Sequence, residues 1–209
     1  MKPNCQLILA SESPRRRELL SAFGVPFLVM PSGVDEVPFP GEAPVRFALR
    51  AAMDKGTEIA QKYPFSWVLS ADTIVVIDGK ILGKPKDRAD ARRMLSMLEG
   101  REHRVYTSVC LLCARREYKD AGTEMTRVVF RTLAQSEIDA YARTGECDDK
   151  AGAYAAQGAG MLLIDRVIGS FSNVVGLPMT RVASMLKKAG LITASASGSR
   201  FYRFTGRKK

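Results

Sequence analysis

The sequence predicts an α/β protein, with α+β as the alternative, built on a mixed, elongated sheet with flanking helices and a central cleft. Three observations carry this expectation. Short apolar runs alternate with amphipathic stretches along the 209 residues, with no internal repeat. A hydrophobic content of 46% suits one substantial core. Residues 102–114 and 126–133 are strand-like runs placed to pair antiparallel around a polar turn at 115–122.

The elements follow in order. Residues 6–10 form a first apolar strand and 15–23 a first helix, with Pro14 in its opening turn. Residues 27–31 read as a second strand, and 43–62 as a long helix opened by Pro44. Trp67 restarts the sheet, and the run 68–77 is apolar and β-branched except for Ser70, Asp72 and Thr73. Asp78-Gly79 closes a hairpin whose return strand leads to Gly83-Lys84-Pro85. Asp87-Arg-Ala-Asp90 caps a helix with Ala91, Met94, Leu95 and Leu98 on one face, closed by Gly100. Beyond the two long strands, Ser136-Glu-Ile-Asp139 caps a helix ended by Gly145. An apolar strand follows near 162–168, and Val182, Met185, Leu186 and Ala189 line a last helix ended by Gly190. This gives a single domain over 1–192 and a basic C-terminal tail over 193–209.

No apolar run is long enough to span a bilayer, and Met1-Lys-Pro-Asn4 leads into a short strand rather than a signal peptide. A cytoplasmic protein with no membrane partner is therefore expected. Cys5, Cys110, Cys113 and Cys147 show no repeating spacing. Cys110 and Cys113 lie three apart on a strand and point to opposite faces, so they cannot share a metal. With His103 as the one histidine, no zinc site is expected. The formal charge of +10 raises nucleic-acid binding as a rival class. Its distribution weakens that rival, because no acidic residue follows Asp165 and half of the excess (Arg200, Arg203, Arg207, Lys208, Lys209) sits in the tail. The tail is read as a mobile solubilising extension, or as one ordered only by docking its aromatics, in preference to an RNA-stacking segment.

Three blocks carry the chemistry. The turn Ala10-Ser-Glu-Ser-Pro-Arg-Arg-Arg-Glu-Leu-Leu20 puts Ser11, Ser13, Arg15 and Arg16 at a helix start, where unpaired N–H groups favour anions and guanidinium forks match phosphate oxygens. A capped surface helix with a solvated charge run fits the same residues. In the second block, Asp72 interrupts a buried strand, which requires pairing, protonation or a metal. The hairpin can return Lys84 toward it, a way to hold Mg²⁺ and phosphate together; a capped bulge and a solvated lysine are the alternative. The third block, Asp148-Asp-Lys-Ala-Gly-Ala-Tyr-Ala-Ala-Gln-Gly-Ala-Gly160, has glycines at 152, 158 and 160 that let a backbone approach a flat ligand around Gln157. A glycine-rich connection with Gln157 in solvent is the alternative.

Together these blocks resemble the Maf family of nucleoside triphosphate pyrophosphatases over residues 7–189. The likeness rests on Ala-Ser-x-Ser-Pro-Arg-Arg-x-Glu-Leu-Leu (10–20), Ala-Asp-Thr-x-Val (71–75), Leu-Gly-Lys-Pro (82–85), Asp-Lys-Ala-Gly-Ala-Tyr-x-x-Gln-Gly (149–158) and Asn-Val-Val-Gly-Leu-Pro (173–178). It implies a fold like that of inosine triphosphate pyrophosphatases and cleavage between the α- and β-phosphates with a divalent cation, Mg²⁺ or Mn²⁺. By the same resemblance Asp72 is the proton acceptor and a metal ligand. Glu36, in the turn Val34-Asp-Glu-Val37, stands near the cation, with Asp35 as the alternative register. Ser11, Arg16, Lys55 and Lys84 hold the triphosphate, although Lys55 lies on a helix rich in ordinary surface charges. The expected partners are a nucleoside triphosphate substrate and a second copy of the chain, forming a homodimer.

Base choice is argued from hydrogen bonding. Thymine and uracil present an N3–H flanked by carbonyls, and the Gln157 amide offers the matching acceptor and donor in one plane. The related subfamily acting on 7-methylguanosine triphosphate carries tryptophan, glutamine and glutamate where this chain has Arg15, Thr73 and Gln157. The pattern here resembles the dTTP/UTP type, with modified pyrimidine nucleotides as further substrates. A 7-methylguanosine-type pyrophosphatase, or a nucleic-acid-binding or division-regulatory module using the tail, are the alternatives. Glu12 and Ala155-Ala156 depart from the family pattern.

Overall fold

The computed structural model describes residues 6–195 and 201–205. Cys5, Arg200, Arg207, Lys208 and Lys209 lie outside the described residues. The chain runs β1 (Leu7–Ala10), α1 (Pro14–Ser21), β2 (Phe27–Val29), α2 (Pro44–Lys62), β3 (Trp67–Ile77), β4 (Lys80–Leu82), α3 (Arg88–Leu98) and β5 (Glu102–Cys113). It continues through β6 (Tyr118–Phe130), α4 (Gln135–Thr144), β7 (Ile164–Ile168), α5 (Phe171–Val175), α6 (Met179–Lys188), β8 (Ile192–Ala194) and β9 (Tyr202–Phe204). The main sheet is mixed, in the order β2-β1-β3-β5-β6-β7 with β4 added to β3. Strand β1 pairs parallel with β2 and β3, β4 pairs antiparallel with β3, and β7 antiparallel with β6. The α/β expectation holds. No helix among the described residues is long and apolar enough to cross a membrane.

The described residues gather into two compact units. One comprises the chain up to Asp72, Ser108–Thr123 and the part from Gly176 on; the other comprises Thr73–Thr107 and Glu124–Val175. In the first unit β1 is buried on both faces, as a parallel strand between two neighbours must be. Leu7 and Leu9 face a core with Leu20, Trp67, Leu111 and Leu186, while Ile8 and Ala10 face another with Ile59, Val68 and Leu112. Cys113 belongs to the former and Cys110 to the latter, so the two thiols do point to opposite sides. In the second unit, Ala91, Leu95 and Leu98 of α3 and Ile138 and Tyr141 of α4 pack with Val75 and Phe130.

Three local expectations need correction. The polar stretch 118–125 belongs to β6, because a 3-10 turn at Ala114–Arg116, with Glu117 left-handed at φ 51°, already reverses the chain. So short a connection between neighbouring strands allows only an antiparallel pair. The start of α4 is capped not by Ser136 but by Glu137, which accepts from the Ala134 N–H at 2.9 Å. Residues 158–163 form a 3-10 helix, and the strand begins only at Ile164. For the tail, the structure describes docking of Tyr202 and Phe204: β9 pairs with β8, Tyr202 stacks 5.6 Å from Phe23, and Thr205 N–H bonds the Leu191 carbonyl at 2.8 Å.

Candidate active site

The turn after β1 is built by its own side chains. Ser13 is the N-cap of α1, accepting from the Arg16 N–H at 3.4 Å, and Pro14 takes the first helical position, where a missing N–H costs nothing. Ser11 is buried; its hydroxyl oxygen accepts from the Ser13 N–H and from Arg16 Nη1, both at 3.2 Å. The hydroxyl proton can then be given to an incoming oxygen. Arg16 Nε donates to the Gly176 carbonyl at 2.9 Å, which fixes the guanidinium over the turn. Burial lowers its pKa, while the Asp72 and Glu36 charges act to raise it and Arg15 to lower it. Arg15 occupies the same first turn, half-buried, and Glu12 is exposed.

Lys55 is the centre of the first unit's charge cluster. It is 7% exposed, and its Nζ lies 2.8 Å from Asp72 Oδ1 and 2.6 Å from Glu36 Oε1. Its place on α2 explains this. Ala48, Ala52, Gly56 and Ala60, with Ala51, Lys55 and Ile59, form the buried stripe of the helix. Lys55 is therefore a core-facing position, not one of the surface charges of α2. Close packing keeps it there: a Cβ on Gly56 would meet Ser70 Oγ at 2.6 Å and Leu112 Cδ2 at 2.9 Å. Ser70 also donates to the Ala52 carbonyl at 2.6 Å, tying β3 to α2 two residues before Asp72.

Glu36 reaches Lys55 because its loop is clamped to α2 at both sides. Glu58 Oε2 accepts from the Ser32 hydroxyl at 2.5 Å and the Gly33 N–H at 2.9 Å, and Arg50 donates to the Val37 carbonyl at 2.9 Å while paired with Glu42. This register selects Glu36 over Asp35 as the carboxylate on Lys55.

The two carboxylates titrate in opposite directions. Burial pushes Asp72 up, against the pull of Lys55 and Arg16, and the Glu36 charge adds to the rise. Partial burial acts the same way on Glu36, but the charge and hydrogen bond of Lys55 outweigh it and hold Glu36 below the ordinary range. Asp72 Oδ2 is buried with no hydrogen-bond partner among the described residues. A bare carboxylate oxygen beside a half-exposed second carboxylate suits a hard divalent cation, which takes oxygen ligands. No group of three or more metal-ligating side chains occurs among the described residues. Such a cation would therefore complete its shell with water and substrate oxygens, the usual mode for Mg²⁺ at phosphates.

Thr73, Lys84 and Gln157 belong to the second unit. The Thr107 hydroxyl donates to the Asn173 carbonyl at 2.9 Å, so in its 3.0 Å contact with Thr73 it accepts, and the Thr73 hydroxyl is the donor. Asn173 is fully buried and holds this relay by donating to Val105 and Thr126. Lys84 is exposed, two residues beyond Leu82, whose ladder partner is Val75. Gln157 is exposed on extended backbone just before the 3-10 helix.

The glycines of this block are needed by the fold itself. A Cβ on Gly152 would meet Val75 at 3.0 Å, one on Gly158 the Glu146 carboxylate at 2.5 Å, and one on Gly160 the Ala155 carbonyl at 2.1 Å. Their close approaches are to the protein itself.

Ser11, Arg16, Glu36, Lys55 and Asp72 are thus brought together with Arg15 in the first unit, while Thr73, Lys84 and Gln157 take their places in the second. Residues that the sequence reading missed are mainly supports: Gly176 for Arg16, Glu58 and Arg50 for Glu36, Thr107 and Asn173 for Thr73. Lys55 was named from the sequence, and its burial had a local signal in its four-residue spacing from Ala51 and Ile59.

A dTTP/UTP pyrophosphatase of Syntrophomonas wolfei is 46% identical over 182 residues, covering 87% of this chain and 96% of that protein. One from Anaeromyxobacter dehalogenans is 48% identical over 190 residues, covering 88% and 94%. One from Geobacter metallireducens is 45% identical over 192 residues, covering 92% and 100%. Among solved structures, the Staphylococcus aureus Ham1 protein aligns at 12% identity with a TM-score of 0.47, covering 89% of this chain and 97% of that one. The family model for Maf-like proteins matches residues 6–189, nearly the whole described chain, and with these relatives it establishes that the chain belongs to the Maf-like protein family.

Proposed function

We propose that this chain is a nucleoside triphosphate pyrophosphatase acting on dTTP and UTP, releasing the nucleoside monophosphate and pyrophosphate. The observation that carries the chemistry is Asp72: a buried carboxylate, its pKa raised, with one oxygen held by Lys55 and the other bare. A raised pKa makes it a stronger base than a solvated aspartate, as a general base for water needs. The names of relatives at 45–48% identity support the substrate.

In this reading water attacks the α-phosphorus and gives its proton to the Asp72 carboxylate as the bond between the α-phosphorus and the bridging oxygen breaks. The electron pair leaves with pyrophosphate. Arg16 and Lys55, both in place before substrate arrives, and Lys84 neutralise charge on the departing group. Ser11 donates a hydrogen bond from its hydroxyl to a phosphate oxygen. Glu36 and Asp72 would hold a divalent cation, Mg²⁺ or Mn²⁺, which when bound supplies Lewis-acid polarisation of the phosphates. Arg15 and Thr73 complete the set expected for a pyrimidine substrate. Gln157 accepts from the base N3–H and donates to an adjacent carbonyl.

The test is a panel of nucleoside triphosphates, including 7-methylguanosine triphosphate, incubated with Mg²⁺ or Mn²⁺ and assayed for pyrophosphate and orthophosphate. Pyrophosphate from dTTP and UTP above all others is expected, with Asp72→Asn losing about 10²- to 10⁴-fold in kcat. Orthophosphate as the first product, or wild-type turnover in Asp72→Asn, would overturn the reading.

A further inference from the structure

Gln157 is an exposed side chain at the apex of a short segment, and nothing in its own contacts explains how its amide could be held in one plane to read a base. The neighbouring contacts do. On the N-terminal side, the Ala155 N–H donates to the Tyr141 hydroxyl at 3.0 Å. On the C-terminal side, the Ala159 and Gly160 N–H groups donate to the two oxygens of Glu146, at 2.9 and 3.1 Å. One buried phenol and one half-buried carboxylate thus grip the two flanks of Gln157.

The grip is rigidly mounted. Tyr141 lies in the core of the second unit, 5% exposed, and α4 ends at left-handed Gly145, φ 85°, which turns the chain so that Glu146 follows directly. Gly158 leaves room for the carboxylate, since a Cβ there would lie 2.5 Å from Glu146 Oε1. Gly160 leaves room for the turn, since a Cβ there would lie 2.1 Å from the Ala155 carbonyl and 2.9 Å from the Tyr141 hydroxyl. A carboxylate suits this place chemically: its two oxygens accept one N–H group each, whereas an amide would turn a donor toward a donor.

We propose that Glu146, backed by Tyr141, is the positioning residue for base selection, holding the 155–160 segment so that the Gln157 amide meets the pyrimidine edge. This rests on the proposed reading of Gln157 as the base contact. Glu146 itself touches neither the phosphates nor the base; it acts through Gln157.

The test compares kcat and KM of the wild type, Glu146→Gln, Tyr141→Phe, Gln157→Ala and the Glu146→Gln/Gln157→Ala double variant on dTTP, UTP, dCTP and dGTP, alongside thermal unfolding of each. Glu146→Gln is expected to raise KM for dTTP and UTP by about 10- to 100-fold, the scale of an ångström-sized misplacement, with much smaller changes in kcat and in the use of dCTP and dGTP. Tyr141→Phe, which keeps the ring packing, should shift selectivity in the same sense by less. The double variant should be no worse than Gln157→Ala, because both changes remove one function. An equal loss on all four nucleotides, or additive losses in the double variant, would overturn the role of Glu146 while leaving Gln157 as the base reader. Unchanged selectivity in Gln157→Ala would overturn this inference together with the base reading, and absence of pyrophosphate release by the wild type would overturn the proposed function itself.

Discussion

His103, the one histidine of the chain, is 2% exposed. Its Nε2 lies 2.7 Å from the Tyr154 hydroxyl, and its ring packs edge-on against Phe130 at 5.1 Å and Tyr154 at 5.3 Å. Its Nδ1 is buried with no hydrogen-bond partner among the described residues. Burial lowers its pKa from 6.5 to about 4, so the folded state holds it neutral. A base with a depressed folded pKa gives stability that is present above the unfolded value and lost as pH falls through the folded one. For a drop from 6.5 to about 4 that stability is about 3 kcal/mol. The unfolding free energy of the wild type minus that of His103→Phe should therefore fall by about that amount between pH 7 and pH 4. A difference independent of pH would show that His103 is not held neutral. At this scale the sequence was uneven as a guide. Asp72 stood out because a carboxylate in an apolar strand has to be accounted for. Glu36 was chosen by resemblance, with Asp35 left as the alternative register, because the register is fixed by Glu58 and Arg50, contacts that no local pattern encodes.

The junction of α2 with β3 decides how the charge cluster is held. The helix approaches closely enough that Gly56 has no room for a methyl group, and Lys55 and Asp72 flank that contact in sequence. Gly56→Ala should cost about 1–3 kcal/mol by overpacking and, by moving Lys55 off Asp72, lower kcat about 10- to 100-fold. Adding Ser70→Ala should restore part of the stability, since it removes the nearest atom. An unchanged unfolding midpoint in Gly56→Ala would contradict the close fit. The four-residue spacing along α2 could be read from sequence as a buried stripe, yet the lysine inside it looked like a surface charge. Burial of a lysine requires a partner, here Asp72 and Glu36, and periodicity does not name it. The glycines at 152, 158 and 160 were visible as constraints, but what they approach depends on α4 and β3 packing beside them.

For the whole chain, the order of strands and helices was legible because apolar periodicity and turn residues mark each element. The extent of β6 was not, since its polar first half is a strand through pairing rather than propensity. The tail likewise declares its charge in sequence but not its contacts. Tyr202 and Phe204 pack on the core formed with Phe23, Leu191 and Ile192, and Lys187 lies 5.0 Å over the Tyr202 ring. Deleting residues 193–209 should therefore cost roughly 2–4 kcal/mol through lost aromatic burial, read as a lower unfolding midpoint. Turnover measured well below that midpoint should persist, because Ser11, Arg16, Glu36, Lys55, Asp72, Lys84 and Gln157 all precede the deletion. Loss of turnover in the folded truncation would assign the tail a part in the site. Attack of water at the α-phosphorus is tested by hydrolysis of dTTP in ¹⁸O-labelled water: the label is expected in thymidine monophosphate with none in pyrophosphate, and label in pyrophosphate would overturn this mechanism.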